Sequence, residues 1–330
     1  KDTILYGLGP LADQMSHQMF QFLIFTYYYA IVGIEVTPLA IAFVIFALWD
    51  AINDPIVGTL TDRTKVKMGK RKFWTLVSLV PFGLINIFIF TPPFFWTGNQ
   101  NFWPNLTYMI ISIILYDTIY SFFSVSELSL FSEMFITEEE RGRANMWKCI
   151  WTIIGVIIGF VIPTIIIPEL APDENTPPAL VDRIPKLYFW TGVMVCVLVI
   201  VSGYLFYKHG IIEDRHLYED EEDHKLLDML RDTFTNGKFI LFCFANLIKW
   251  TVFKLLTTII PLWSIHNLEI EGILVSVVLL GAFLAAMAIF PFVEKLGLKI
   301  GWRNGFIVTQ IFWCFALIPF WWLDGMPYLA

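Results

Sequence analysis

Long apolar stretches, separated by short polar ones, make up most of this chain. Nine of them are close to 20 residues or longer, and at ~1.5 Å of helix rise per residue each can cross a ~30 Å hydrocarbon core. The pattern therefore predicts an all-α membrane protein with about nine transmembrane helices, at residues 5–32, 38–60, 73–92, 106–131, 144–167, 187–207, 239–265, 273–293 and 306–323.

Composition and charge support a protein embedded in the lipid bilayer. Hydrophobic residues make up 57% of the 330 positions and charged residues only 15%, which excludes an ordinary soluble domain. Lysine and arginine concentrate in the stretches 63–72, 141–148 and 295–303, whereas the intervening loops carry few. Because basic loops stay in the cytoplasm, we predict a multi-pass protein of the cytoplasmic membrane with a cytoplasmic N-terminus.

Two carboxylates interrupt the second apolar stretch. Asp50 and Asp54 are four residues apart and share one helix face with Asn53 beside them, and Pro55 frees a backbone carbonyl one turn earlier. Clustered oxygen donors suit a small, hard cation, so we predict a metal site for Na+ at Asp50 and Asp54, where H+ could replace Na+. The alternative is a structural ion pair between these acids and Lys148 or Lys254.

Polar residues also recur at helical spacing in three other predicted spans. Asp13 and His17 mark a stripe in the first span, Asp117 and Tyr120 mark one in the fourth, and Lys254 lies within the seventh. Polar faces inside a membrane point into the bundle, so we predict a solute cavity; helix-to-helix hydrogen bonding without a ligand is the alternative. The candidate solute-binding residues are Asp13, Gln14, His17, Asp117, Tyr120, Ser124, Lys148 and Lys254.

A short motif occurs twice. Asp62-Arg63 precedes Gly69-Lys70-Arg71 after the second span, and Glu294-Lys295 precedes Gly301-Trp302-Arg303 at equal spacing after the eighth. Such a repeat predicts the major facilitator superfamily fold with two six-helix halves. We expect the first half at 1–207, a cytoplasmic linker at 208–237 and the start of the second half, helices seven to nine, at 238–330. That half is incomplete, and about three further spans are expected in the native protein.

The string Trp49-Asp50-Ala51-Ile52-Asn53-Asp54-Pro55, with Tyr27-Tyr28-Tyr29 before it and the Asp62–Arg71 motif after it, resembles the glycoside-pentoside-hexuronide:cation symporter family. The resemblance implies a Na+- or H+-coupled symporter that moves a sugar, glycoside or related small solute by alternating access. It also implies that Ser121 completes the cation site of Asp50, Asn53 and Asp54. The loop residues Asp62, Arg63, Gly69, Lys70 and Arg71 would form the cytoplasmic gate.

The sugar-binding positions depart from the family pattern. Two carboxylates of sugar-transporting members correspond here to Gln14 and Ser124, although Asp13 and Asp117 lie nearby and could compensate. A lysophospholipid symporter of the same family and a non-transporting receptor are therefore alternatives. We expect no enzyme, because no nucleophile motif, phosphate loop or metal-ligand spacing occurs. We also expect a monomer, no nucleic-acid partner and no cofactor besides the coupling ion.

Gly155 and Gly159, four residues apart in the fifth predicted span, lie on one helix face. Small residues at this spacing let two helices approach closely in a membrane. We predict a packing role for both glycines and no contact with solute.

Overall fold

The computed structural model describes residues 2–95, 101–167, 169–172, 176–212, 235–249, 251–252 and 273–323. All regular elements in these ranges are helices. The chain divides into two compact units, Lys1–Leu217 and Tyr218–Ala330, and the division falls inside the predicted linker 208–237. Most of that linker, and the predicted solute-binding residue Lys254, lie outside the described residues.

The first unit contains six helical rods at the positions of the first six predicted spans. Short π-helical turns at Tyr27–Ile31, Ile157–Val161 and Phe206–Gly210 extend or join the α-helices. The α-helices are α1 (Asp2–Tyr6), α2 (Leu8–Thr26), α3 (Val36–Arg63), α4 (Lys70–Phe88), α5 (Phe102–Met134), α6 (Glu138–Val156), α7 (Ile162–Ile166), α8 (Pro178–Val181) and α9 (Ile184–Leu205). In the second unit the helical segments are 237–249, Ile273–Ile300 and Trp302–Leu323.

Within the described residues, 4 helical stretches are long and apolar enough to cross a membrane: Val36–Arg63, Phe102–Met134, Glu138–Ile166 and Pro178–Gly210. The protein is therefore a multi-pass membrane protein, but the predicted number of nine spans is not established. In α2 the polar stripe that contains Asp13 and His17 lowers the mean hydropathy, although most of that helix is buried against its neighbours.

The helix α2 packs closely against both α6 and α9. A Cβ atom at Gly155 would lie 3.0 Å from the backbone oxygen of Leu11, and one at Gly159 would lie 2.4 Å from that of Met15. Real Cβ atoms essentially never approach a backbone atom within 3 Å. The predicted packing role of these two glycines is thus confirmed.

Two of the three consecutive tyrosines support the C-terminal end of α4. The hydroxyl of Tyr27 donates to the carbonyl of Phe90 and that of Tyr28 to the carbonyl of Ile89, each at 2.9 Å. The last carbonyls of a helix have no partner within the helix, so these bonds satisfy them. Tyr27 and Tyr28 are fully buried, whereas Tyr29 is exposed.

The repeated motif has the same backbone geometry in both copies. Gly69 has φ 97° and directly precedes α4, and Gly301 has φ 84° and directly precedes Trp302–Leu323. Glycine adopts positive φ at little cost, which explains its place in the motif. The copies differ before the glycine, because α3 ends at Arg63 while the helix Ile273–Ile300 continues up to Gly301. The loop that was predicted from residue 294 onwards is thus helical.

Candidate functional site

Asn53 on α3 connects that helix to α5. Its side chain is buried, and Nδ2 donates to Oδ2 of Asp117 at 3.0 Å and to Oγ of Ser121 at 3.0 Å. The Ser121 hydroxyl donates in turn to Oδ1 of Asp54 at 2.6 Å. A continuous hydrogen-bonded chain therefore runs from Asp117 through Asn53 and Ser121 to Asp54.

Asp50 lies one turn before Asp54 on α3 and interacts with Asp117. We call Asp50, Asn53, Asp54, Asp117 and Ser121 the ion cluster. The structure thus brings together the four predicted cation ligands and adds Asp117, which the sequence pattern had grouped with the solute. Among the described residues, no three His, Cys, Asp or Glu side chains form a metal-binding group, so a cation here would also need amide, hydroxyl or carbonyl oxygens.

A cavity of about 400 Å³ borders the ion cluster. His17, Gln21, Asp50 and Asp117 supply polar groups, and phenylalanine and isoleucine side chains supply apolar surface. Of the eight predicted solute-binding residues, His17, Asp117 and Tyr120 line it. Its full lining is His17, Phe20, Gln21, Ile24, Phe25, Phe43, Phe46, Asp50, Tyr116, Asp117 and Tyr120.

Parallel rings form one side of this cavity. Phe20 stacks on Tyr116 with ring centroids 4.0 Å apart, Tyr116 lies parallel to Tyr120 at 6.0 Å, and Tyr120 stacks on His17 at 5.0 Å. Phe20 and Tyr116 were not among the predicted cavity residues. A single phenylalanine among 31 carries no signal of its own, although Tyr116 directly precedes Asp117.

Four other predicted solute-binding residues do not line the cavity. The amide of Gln14 donates to Oδ2 of Asp13 at 2.7 Å, and Asp13 is buried. Ser124 is half-buried on α5. Lys148 on α6 lies 3.4 Å from Oε1 of Glu127, so its ion-pair partner is Glu127 rather than Asp50 or Asp54.

The predicted gate residues meet at one end of α3, α4 and α5. The guanidinium of Arg71 lies 2.5 Å from Asp62 and 3.1 Å from Glu133. Lys70 is buried and Arg63 is exposed. Gly69 supplies the positive-φ turn that directs the chain into α4. Arg71 therefore joins the ends of α3 and α5 within the first unit.

In a helical membrane protein, acidic side chains on two neighbouring helices beside a polar cavity are typical of a transporter. The model of the MFS/sugar transport protein family matches residues 5–330. The chain belongs to this family, which confirms the fold and the resemblance predicted from its motifs.

Curated relatives carry symporter or transporter names. The chain is 26% identical over 148 residues to the putative glycoside/cation symporter YagG of Escherichia coli (strain K12), covering 45% of the chain and 31% of that protein. It is 21% identical over 310 residues to the isoprimeverose transporter of Lactiplantibacillus pentosus, covering 93% and 61%. The sodium-dependent lysophosphatidylcholine symporter 1 of Mus musculus is 22% identical over 309 residues, covering 86% and 57%. The chain thus spans less than two thirds of the length of each.

Proposed function

We propose that this chain is part of a symporter that couples the movement of Na+ or H+ to that of a small solute by alternating access. The observation that carries the proposal is the ion cluster itself. Asn53 and Ser121 link Asp54 to Asp117 across two helices, directly beside a cavity that Asp50 and Asp117 also line. The names of the relatives support the same activity.

The binding of cation and solute would be coupled because Asp50 belongs to the proposed cation site and also lines the cavity. A cation at Asp50 and Asp54 would neutralise charge at the wall of the cavity and hold α3 against α5. Solute in the cavity would contact Asp50 and Asp117, so each ligand would change the affinity for the other. The Asp62–Arg71 loop would serve as the gate of this cycle.

A sugar or glycoside is the proposed solute. Carboxylate, imidazole and amide groups on one side of the cavity can hydrogen-bond hydroxyl groups, and the parallel rings of Phe20, Tyr116 and Tyr120 offer flat apolar faces. We further propose a monomer in the cytoplasmic membrane with a cytoplasmic N-terminus, because the basic loops favour that orientation.

A lysophospholipid is the second candidate solute. Phe25, Phe43, Phe46 and Ile24 give the cavity an apolar surface that an acyl chain could contact. The similarity to the mouse lysophosphatidylcholine symporter extends over 86% of the chain.

The cation assignment is tested by thermal unfolding of the full-length protein in detergent, with sodium varied at fixed ionic strength. A ligand at 100 times its dissociation constant stabilises the folded state by ~2.7 kcal/mol. We expect sodium to stabilise the wild type and the control Glu139→Gln, and to have no effect on Asp54→Asn. If Asp54→Asn responds to sodium like the wild type, the assignment is wrong.

The solute is identified by uptake into proteoliposomes under an imposed sodium or proton gradient. Glycosides and lysophosphatidylcholine are supplied in parallel, with Asp54→Asn vesicles as the control for leakage. If only one of these two classes of compound accumulates when the gradient is imposed, that class is the solute. If none of them accumulates above the Asp54→Asn level, the proposed symport of these solutes is wrong.

A further inference from the structure

A second group of charged side chains lies in the interior of the first unit, apart from the ion cluster. It consists of Asp13 on α2, Glu127 on α5 and Lys148 on α6. We call it the inner cluster. The proposed cation site does not use Glu127 or Lys148, and Asp13 does not line the cavity.

Two donor side chains, those of Tyr6 and Lys148, lie beside the Glu127 carboxylate. The hydroxyl of Tyr6 donates to both the backbone oxygen of Glu127, at 2.9 Å, and its Oε1 atom. The ammonium of Lys148 lies 3.4 Å from the same Oε1. Since the Glu127 side chain is only 5% exposed, these two donors replace the water that its negative charge would otherwise attract.

The Asp13 carboxylate has fewer hydrogen-bond donors than that of Glu127. The residue is 8% exposed, and its Oδ2 atom accepts one hydrogen bond, from Gln14 at 2.7 Å. Its Oδ1 atom is buried and accepts no hydrogen bond of normal geometry from the described residues, although the Tyr120 hydroxyl lies close enough to interact with the carboxylate. A buried ionised carboxylate with an empty acceptor loses hydration without replacement, which is costly.

The charges around Asp13 do not balance. Lys148 is the cation that acts on both Asp13 and Glu127, so two carboxylates share one ammonium. From the neighbouring helices, the titratable groups that interact with Asp13 are Tyr6 on α1, Tyr116, Tyr120 and Glu127 on α5, and Lys148 on α6; His17 lies one turn along α2 itself. The hydroxyls are neutral when protonated, so among the described residues that interact with Asp13 one ammonium serves two carboxylates.

We propose that the inner cluster is a proton-binding site, separate from the ion cluster, in which Asp13 carries the proton. Glu127 has two donors on one oxygen and stays ionised as the partner of Lys148. The proton binds to Oδ1 of Asp13, and the new O–H group donates to the phenol oxygen of Tyr120, which can accept a hydrogen bond. The only bond formed is O–H, and the proton comes from water.

Tyr120 connects this site to the cavity. It lines the cavity, stacks on His17 and also interacts with Asp13. A proton can therefore reach Asp13 from the cavity side through the Tyr120 hydroxyl. The inner cluster would bind this proton whether the ion cluster takes sodium or not, so the site is independent of the proposed function.

Infrared difference spectroscopy on the full-length protein, titrated with pH at saturating sodium, tests the proposal. We expect a carboxylic-acid C=O band that is absent from Asp13→Asn and retained in Asp117→Asn, the matched change of another buried aspartate. Labelling aspartate with ¹³C at the side-chain carboxyl should shift the band, and glutamate labelling should not.

One further measurement keeps the test decisive if Asp13→Asn does not fold. Tyr120→Phe keeps the ring but removes the acceptor, so the band should change frequency without disappearing. If Asp13→Asn folds, an indicator-dye count of protons taken up after a pH jump should fall by one per protein in that variant. A band that shifts with labelled glutamate, or that is lost only in Asp117→Asn, would overturn the assignment to Asp13.

Discussion

The helices α3 and α6 are both linked to α5 by polar side chains, but in different ways. At α3, the contact is the chain Asp54–Ser121–Asn53–Asp117, beside an open cavity, and Asp50 and Asp54 are exposed. At α6, the contact is the ion pair between the buried Glu127 and the partly exposed Lys148. The carboxylates of Asp50 and Asp54 are exposed, so the proposed ion could reach them, whereas in the second contact the Glu127 charge already has its partners. Ion binding should therefore act on the position of α3 more than on that of α6.

Breaking the ion pair of Lys148 and Glu127 should have the largest effect on stability. Lys148→Met leaves Glu127 buried without its cation, and removing one partner of a buried pair costs about 3–5 kcal/mol. Chemical unfolding in detergent measures this loss. The double variant Glu127→Gln/Lys148→Met should recover most of it, and Asp50→Asn at the exposed α3 contact should change stability by less than about 0.5 kcal/mol. Equal losses in Lys148→Met and the double variant would contradict this account of the pair.

Gly159→Ala and Gly58→Ala should change the stability of the protein in opposite directions. Gly159→Ala places a methyl group 2.4 Å from the backbone oxygen of Met15, and such overpacking costs about 1–3 kcal/mol. A Cβ atom added at Gly58 on α3 would meet no neighbouring atom of the described residues within 4 Å, so Gly58→Ala should stabilise the helix by up to about 1 kcal/mol. Thermal midpoints of both variants check the contrast; destabilisation by Gly58→Ala would show that α3 packs more tightly than described.

Removing the Asn53 side chain, which links α3 to α5, should have an intermediate effect on stability. Asn53→Ala removes the donor to Asp117 and Ser121 and should cost about 1–2 kcal/mol, the range expected for buried polar groups that lose a partner. The same variant should weaken sodium-dependent stabilisation. If sodium stabilises Asn53→Ala as strongly as the wild type, Asn53 has only a packing role.

The smallest expected effect on stability comes from removing the hydroxyl of Ser121. Ser121→Ala removes the donor to Asp54, and hydrogen bonds between membrane helices average about 0.6 kcal/mol. Ser121→Thr keeps the hydroxyl and should retain the sodium response that Ser121→Ala weakens. Sodium titrations of thermal stability for the pair provide the measurement, and equal responses of the two variants would remove Ser121 from the site.

The candidate site was predictable as far as it depends on one helix. Asp50, Asn53 and Asp54 share a face by spacing alone, and the motif of the family added Ser121. Asp117 could be recognised as inward-facing, but its hydrogen bond to Asn53 depends on the axial register of α5 against α3, which no local pattern specifies. Lys148 was predicted to bind solute or, alternatively, to pair with Asp50 and Asp54, because the sequence could not show which acid would lie beside it.

The sequence by itself determined the helical class, the family and the packing role of Gly155 and Gly159, because these follow from hydrophobic length, motif spacing and the absence of a side chain. The tertiary structure decided which polar residues meet. Tyr6 and Glu127 are 121 positions apart, and the bond between them exists only because the fold places the Tyr6 side chain against α5. Tyr120 lines the cavity and interacts with Asp13, which does not line it. Distances between helices decide which oxygens are filled by protein donors and which stay open to an ion or a proton.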